Sequence, residues 1–259
     1  MAETSMGMVW FVGAGPGDPE LITVKGKRLI EEADVVLYAG SLVPVALVAC
    51  AKPGAQVVDS APLNLEETHA IMRDAARAGK MVTRVHTGDA ALYGAMREQK
   101  ALLDADGIPS RVVPGVTAGF AAAAAAGVGF TVPEVVQAVA FTRVAGRTPV
   151  PEGQRVRDYA RLGGALAIYL SAGDPQAVAE ELRAGGVHED TPVVLASRVG
   201  WPDETVVHST LAGLVQAAQD HGFTRQTVFL VLPGERKEQA PASRLYAKEF
   251  THGFRQGEK

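Results

Sequence analysis

Apolar and polar positions change rhythm along this chain. In the first half, short runs rich in β-branched residues fall at Met8–Val12, Asp34–Tyr38, Gln56–Val58, Met81–Val85 and Arg111–Val113. Between them lie longer stretches with helical spacing: Thr23–Ala33, Glu66–Ala78, Tyr93–Ala105 and Thr117–Ala126. Strand–helix alternation predicts a parallel sheet covered on both faces. Asn64 followed by Glu67 marks a helix start with a reciprocal cap. The nearly all-alanine run Phe120–Ala126 suits a helix packed close to its neighbours.

The second half reads differently. Strands are expected at Val136–Thr142, Ala165–Leu170, Val193–Arg198, Thr205–His208 and Thr227–Leu232, with helices at Pro175–Ala184 and Leu211–Asp220. Trp201-Pro202-Asp203-Glu204 joins two adjacent strands as a hairpin, so this sheet should be mixed. The expected fold is α/β, with two α/β domains, each with a central sheet, and a ligand cleft between them. The domains are placed at 1–115 and 116–240. A flexible tail is expected from 241 to 259, with fraying beyond about Gln239.

Composition narrows the class. The 259 residues are 47% hydrophobic and 21% charged, which describes a soluble globular protein. No apolar run is long enough to span a bilayer, and the N-terminus has no secretory pattern. The net charge of −4 argues against nucleic acid as a partner. Cys50 is the only cysteine, which excludes an internal disulfide and points to a reducing cytoplasm. The six histidines are scattered without metal-ligand spacing, so no metal is expected.

The strand Val9–Val12 runs into Gly13-Ala14-Gly15-Pro16-Gly17-Asp18-Pro19. Glycines there allow backbone to approach a ligand closely. The dinucleotide fingerprint does not fit, because it needs its third glycine one position later and a helix opening inside the motif. Pro16 and Pro19 instead make the loop rigid and extended.

Three segments carry a family resemblance. Gly13–Thr23 resembles the first signature of the tetrapyrrole methyltransferases, Gly88-Asp89-Ala90-Ala91-Leu92-Tyr93-Gly94 the second, and Val113–Ala118 the third. The likeness covers roughly residues 8 to 233. Phe141–Glu152, with Glu189–Val194 and Trp201–Glu204, is similar to the precorrin-4 C(11)-methyltransferase subgroup. Ala90 departs from the proline usual after the aspartate, and Ala138 and Ala140 stand where relatives often carry threonine.

The resemblance implies S-adenosylmethionine as donor, with S-adenosylhomocysteine as product. It places Pro16, Gly88, Asp89, Leu92, Thr117, Ala118, Leu170 and Val199 at that cofactor. It implies methylation of C-11 of precorrin-4 to give precorrin-5 in cobalamin biosynthesis, by a cytoplasmic homodimer acting on a small-molecule tetrapyrrole. Alternatives are the cobalt-precorrin-4 version, another family member such as uroporphyrinogen-III methyltransferase, precorrin-2 methyltransferase or diphthine synthase, and a relative that has lost catalysis. A nucleotide-binding oxidoreductase or regulator is the reading from a different class.

Individual residues admit two readings. Asp89 either meets the donor's ammonium group or caps a helix starting at Tyr93. Thr117 either contacts the donor or caps the alanine-rich helix. Arg143 and Arg147 either grip the carboxylate rim of a macrocycle or sit in a solvated loop. Arg155, Arg157 and Arg161 read as one exposed helix face. His86 and Tyr93 are weak catalytic candidates. His86 is either a proton carrier or, preferably, a packed strand end. Glu134 and Tyr169 default to structural roles.

Overall fold

A computed structural model describes residues 6–236 and 242–258. It divides into two compact units. The first comprises residues 1–121 and the turn Arg198–Asp203; the second comprises 122–197 and 204–259. The division falls inside the alanine-rich helix, and it assigns the tip of a hairpin to the first unit.

In the first unit five strands form one sheet: β1 (Val9–Gly13), β2 (Val35–Tyr38), β3 (Gln56–Asp59), β4 (Val82–His86) and β5 (Ser110–Val113). Their order is β3-β2-β4-β1-β5, and every pairing is parallel. Successive side chains point to opposite faces. Val9, Phe11, Val35, Leu37 and Val82 therefore pack with Met72 of α3 (Leu65–Arg77) and Leu103 of α4 (Met96–Ala105). On the other face Val36 and Val85 pack with Ile30 of α1 (Val24–Glu32) and Leu47 of α2 (Val45–Val48). Both faces are covered, as strand–helix alternation predicts.

Local chemistry sets the helix starts. The Thr23 hydroxyl accepts the Gly26 N–H at 3.0 Å at the head of α1. Asn64 and Glu67 form the expected reciprocal cap of α3, at 2.9 and 2.8 Å. The four-residue α2 has no sequence signal of its own.

The second unit holds a five-stranded sheet with order β6-β7-β10-β8-β9. Its strands are β6 (Val139–Arg143), β7 (Ala165–Tyr169), β8 (Pro192–Ser197), β9 (Thr205–Thr210) and β10 (Thr227–Val231). Only β6 and β7 run parallel; the remaining pairs are antiparallel, so the sheet is mixed as expected. Leu166, Ile168, Leu195 and Phe229 face Val156 of α6 (Val156–Ala160), Leu182 of α7 (Pro175–Ala184) and Leu214 of α8 (Leu214–Asp220). The alanine-rich helix α5 spans Ala118–Ala126.

Gln239, Ala240 and Pro241, where fraying was expected to begin, lie outside the described residues, as does Lys259. Within Ala242–Glu258, the Arg255 guanidinium donates to the carbonyls of Leu245 and Ala247 at 2.9 and 2.6 Å.

Candidate functional site

The strands β4, β1 and β5 are neighbours, and they are parallel, so their carboxyl ends share one edge of the sheet. That edge is where open α/β sheets present ligand-binding loops. The three signature segments leave from it, and they meet backbone to backbone. Ala14 N–H donates to the His86 carbonyl at 2.7 Å. Gly15 and Gly88 exchange hydrogen bonds at 3.2 and 2.7 Å, both with left-handed backbone. A Cβ on Gly13 would lie 2.6 Å from Gly115 N, and one on Gly115 would lie 2.1 Å from Gly88 O. Only glycine permits this approach. Thr117 and Ala118 stand beside Gly88, with Thr117 Cα 3.6 Å from where its Cβ would be.

Asp89 fastens this junction. Its Oδ2 accepts the Gly115 N–H at 2.9 Å and its Oδ1 the Ala91 N–H at 2.8 Å. The helix-cap reading of Asp89 is corrected here. The helix α4 begins at Met96, not Tyr93, and its N-cap position is Ala95, with no side-chain cap. Residues 90–93 form a turn instead and Gly94 a bend, with Tyr93 and Ala95 both in the left-handed region. A non-glycine residue there is uncommon and costs conformational energy. Leu92 is half-buried, its N–H on the Asp89 carbonyl at 3.2 Å, while Tyr93 is 46% exposed. The Thr117 carbonyl accepts from Phe120 and Ala121 N–H, which places Thr117 at the head of α5.

Pro16 and Val199 are buried, and the Pro16 carbonyl accepts the Trp201 indole N–H at 3.1 Å. All three lie in the first unit.

His86 ends β4 with 4% of its surface exposed, its ring 5.9 Å from that of Phe11. Its Nε2 is buried without a hydrogen-bond partner among the described residues. Burial, helped by the nearby Arg84 charge, pushes its pKa down to about 3. The ring is therefore neutral at physiological pH. On the same face, Arg84 is 7% exposed and donates to Ser60 Oγ, Gln99 Oε1 and Leu37 O at 2.8, 3.0 and 3.3 Å. These three partners are all neutral, and burial lowers its pKa to about 10. Arg84 stands within the strand run Val82–His86, whose sequence carries no mark of a buried guanidinium.

In the second unit, Leu170 follows β7 with left-handed backbone and an apolar side chain 71% exposed. Next to it, Ser171 Oγ donates to the Tyr169 carbonyl at 2.7 Å and accepts the Val144 N–H at 2.9 Å. Arg143, the last residue of β6, turns back onto its own loop. Its guanidinium donates to the carbonyls of Thr148 at 3.1 Å and Pro149 at 2.7 Å. Arg143 thus shapes the loop from which Arg147 projects. Arg147 is exposed and makes no ion pair or hydrogen bond among the described residues. Of the three arginines expected on one exposed face, Arg155 and Arg161 are exposed, while Arg157 is partly buried and its Nε donates to both carboxylate oxygens of Glu181 on α7 at 2.9 Å. Glu134, with left-handed backbone, pairs with Arg244 at 2.7 Å.

Among the described residues no three His, Cys, Asp or Glu side chains are grouped to hold a metal ion, and no helix is long and apolar enough to cross a membrane.

The chain is similar to characterised proteins along nearly all its length. A cobalt-precorrin-4 C(11)-methyltransferase of Priestia megaterium is 48% identical, with 97% of this chain and 98% of that protein aligned. A precorrin-4 C(11)-methyltransferase of Pseudomonas aeruginosa is 45% identical over 96% of this chain and 99% of its own. Among solved structures, a cobalt precorrin-4 methyltransferase of cobalamin biosynthesis superposes with a TM-score of 0.85 at 48% identity, covering 87% of this chain and 94% of that one. The uroporphyrin-III C-methyltransferase of Thermus thermophilus, complexed with S-adenosylhomocysteine, gives 0.73 at 31% identity, covering 87% and 97%. The family model of the tetrapyrrole (corrin/porphyrin) methylases matches residues 8–215. Three glycine loops joined at one sheet edge and this likeness agree: the chain belongs to the tetrapyrrole methylases.

Proposed function

We propose that this protein is an S-adenosylmethionine-dependent C-methyltransferase that methylates C-11 of the precorrin-4 macrocycle. The observation that carries this reading is the near full-length likeness to C(11)-methyltransferases. The chain's own structure fits the donor. The close packing of Gly13 and Gly115 on each other and on Gly88, where a Cβ at either of the first two would clash, brings the three signature loops together at one sheet edge, as a ligand gripped by all three requires. Pro16, Gly88, Leu92, Thr117, Ala118 and Val199, all in the first unit, would hold it, and the family resemblance also assigns Leu170 to it. Asp89 accepts one backbone N–H at each carboxylate oxygen, and each oxygen retains capacity for another donor. It can therefore fasten the loops and also meet an ammonium group.

The donor supplies a methyl group already activated by its sulfonium. The protein's contribution is orientation and exclusion of water, an effect worth about 7–11 kcal/mol in favourable cases. Arg147 would meet a peripheral carboxylate in the planar two-bond geometry of guanidinium. Arg143 and Ser171 hold the loop that carries it. No residue is assigned as general base, since tautomerisation of the macrocycle can supply electron density. The single half-buried cysteine fits a reducing cytoplasm, and the family resemblance suggests a homodimer, which light scattering would test.

The test is incubation with precorrin-4 and, separately, cobalt-precorrin-4, each with carbon-13 methyl donor. One added methyl, located at C-11 by NMR, is the expected product, and the productive arm identifies the metal state. Label at another carbon, or no transfer to either macrocycle, would overturn the assignment.

A further inference from the structure

The loop Pro16–Pro19 carries prolines at both ends, so two of its four residues lack a backbone N–H, yet the donor reading asks it to hold one shape. The turn Arg198–Asp203 packs on it within the first unit. Trp201 donates its indole N–H to the Pro16 carbonyl at 3.1 Å. Its ring lies flush on Gly17: a Cβ there would come within 2.3 Å of Trp201 Cδ1 and 2.5 Å of Nε1. Gly200, with φ of +78°, sits so close that a Cβ would reach 2.7 Å from Asp18 N. The indole is itself held. The Arg198 guanidinium stacks over it at 4.4 Å from the ring centroid and binds Asp203 at 2.6 Å. Arg198 has left-handed backbone, a conformation that persists where surrounding contacts over-determine it.

We infer that Trp201 is a positioning residue for the donor loop: its N–H and ring face fix Pro16–Gly17 in the conformation that accepts the methyl donor. This rests on the donor reading above. Gly17 is then glycine for a reason unrelated to any phosphate or dinucleotide: its missing side chain is the seat of an indole. Hydrogen bond and seat are separable. Trp201→Phe keeps an aromatic face on Gly17 and removes the N–H, whereas Trp201→Ala removes both.

A double-mutant cycle tests this, with S-adenosylhomocysteine affinity measured by calorimetry and melting temperature measured without ligand. Trp201→Phe should weaken affinity about fivefold, the scale of one hydrogen bond, with little change in melting temperature. Gly17→Ala should weaken it more than about tenfold in the wild-type background, because the methyl displaces the ring. In the Trp201→Ala background the same methyl enters vacated space, and the further loss should be under about twofold. Additive effects of Gly17→Ala and Trp201→Ala, or wild-type affinity in Trp201→Phe, overturn the positioning role while leaving the donor assignment intact. A flat titration of the wild-type protein overturns both.

Discussion

In the first unit, the loops after β1, β4 and β5 touch through backbone, at Gly13, Gly88 and Gly115. In the second, the loop after β6 is held by side chains: Arg143 on the Thr148 and Pro149 carbonyls, and Ser171 on Val144. A backbone junction leaves no room for a side chain at Gly13 or Gly115, so its shape is fixed. A side-chain-stapled loop can change its exposed residues, here Arg147, without losing its shape, so it suits recognition of a particular macrocycle.

The sharpest way to break this contrast is to add a methyl group to each region. Gly115→Ala places Cβ 2.1 Å from Gly88 O, and something must move. We expect a loss of more than about 3 kcal/mol in urea unfolding. Gly146→Ala meets nothing within 4 Å. It should cost under about 0.5 kcal/mol in the same assay. Equal costs would show that the first junction is not the tight one.

Asp89→Asn comes next in size. An amide offers one acceptor oxygen where the carboxylate offers two, so either the Gly115 or the Ala91 N–H loses its partner. Donor affinity should weaken by ~1.5–3 kcal/mol, the range of a hydrogen bond to a charged group. Melting temperature without ligand should also fall, since a loop fastener is weakened. Unchanged affinity would leave Asp89 with the fastening role alone.

A smaller effect, spread over pH, isolates the buried face beneath the junction. The pKa of His86 is about 3 when folded and near 6.5 when unfolded. Between those values the unfolded chain binds a proton that the folded chain refuses, so stability is full above pH 6.5 and falls as pH is lowered. The slope is at most about 1.4 kcal/mol per pH unit. The difference in stability between wild type and His86→Leu should vary across pH 6.5 to 4 with that sign. A constant difference would mean that His86 is solvated in the folded protein.

Much of the first unit was legible because its signals are local. Strand–helix alternation, the Asn64–Glu67 cap and the glycine spacing each act within a few residues, and the structure places each where the sequence predicts. The start of α4 was not legible. Tyr93 and Ala95 adopt left-handed backbone that neither residue type announces, so the helical pattern read through them to an aspartate cap. The fastening of Asp89 to Gly115 and of Trp201 to Pro16 spans long sequence separations, which no period or motif encodes. The arginine loop was noticed as chemistry, but its internal division was hidden. Two arginines around a glycine look alike until one is seen bound to its own carbonyls.

In the function proposed above, Asp89 serves the donor and Arg147 the macrocycle, each on its own loop. The most direct measurement is calorimetric titration of S-adenosylhomocysteine into wild type, Asp89→Asn and Arg147→Ala. The account predicts saturable binding near one site per chain for wild type. It predicts affinity within about twofold of that for Arg147→Ala, whose exposed side chain has no structural partner to lose, and about tenfold or greater weakening for Asp89→Asn. Loss of affinity in Arg147→Ala together with wild-type affinity in Asp89→Asn would contradict it.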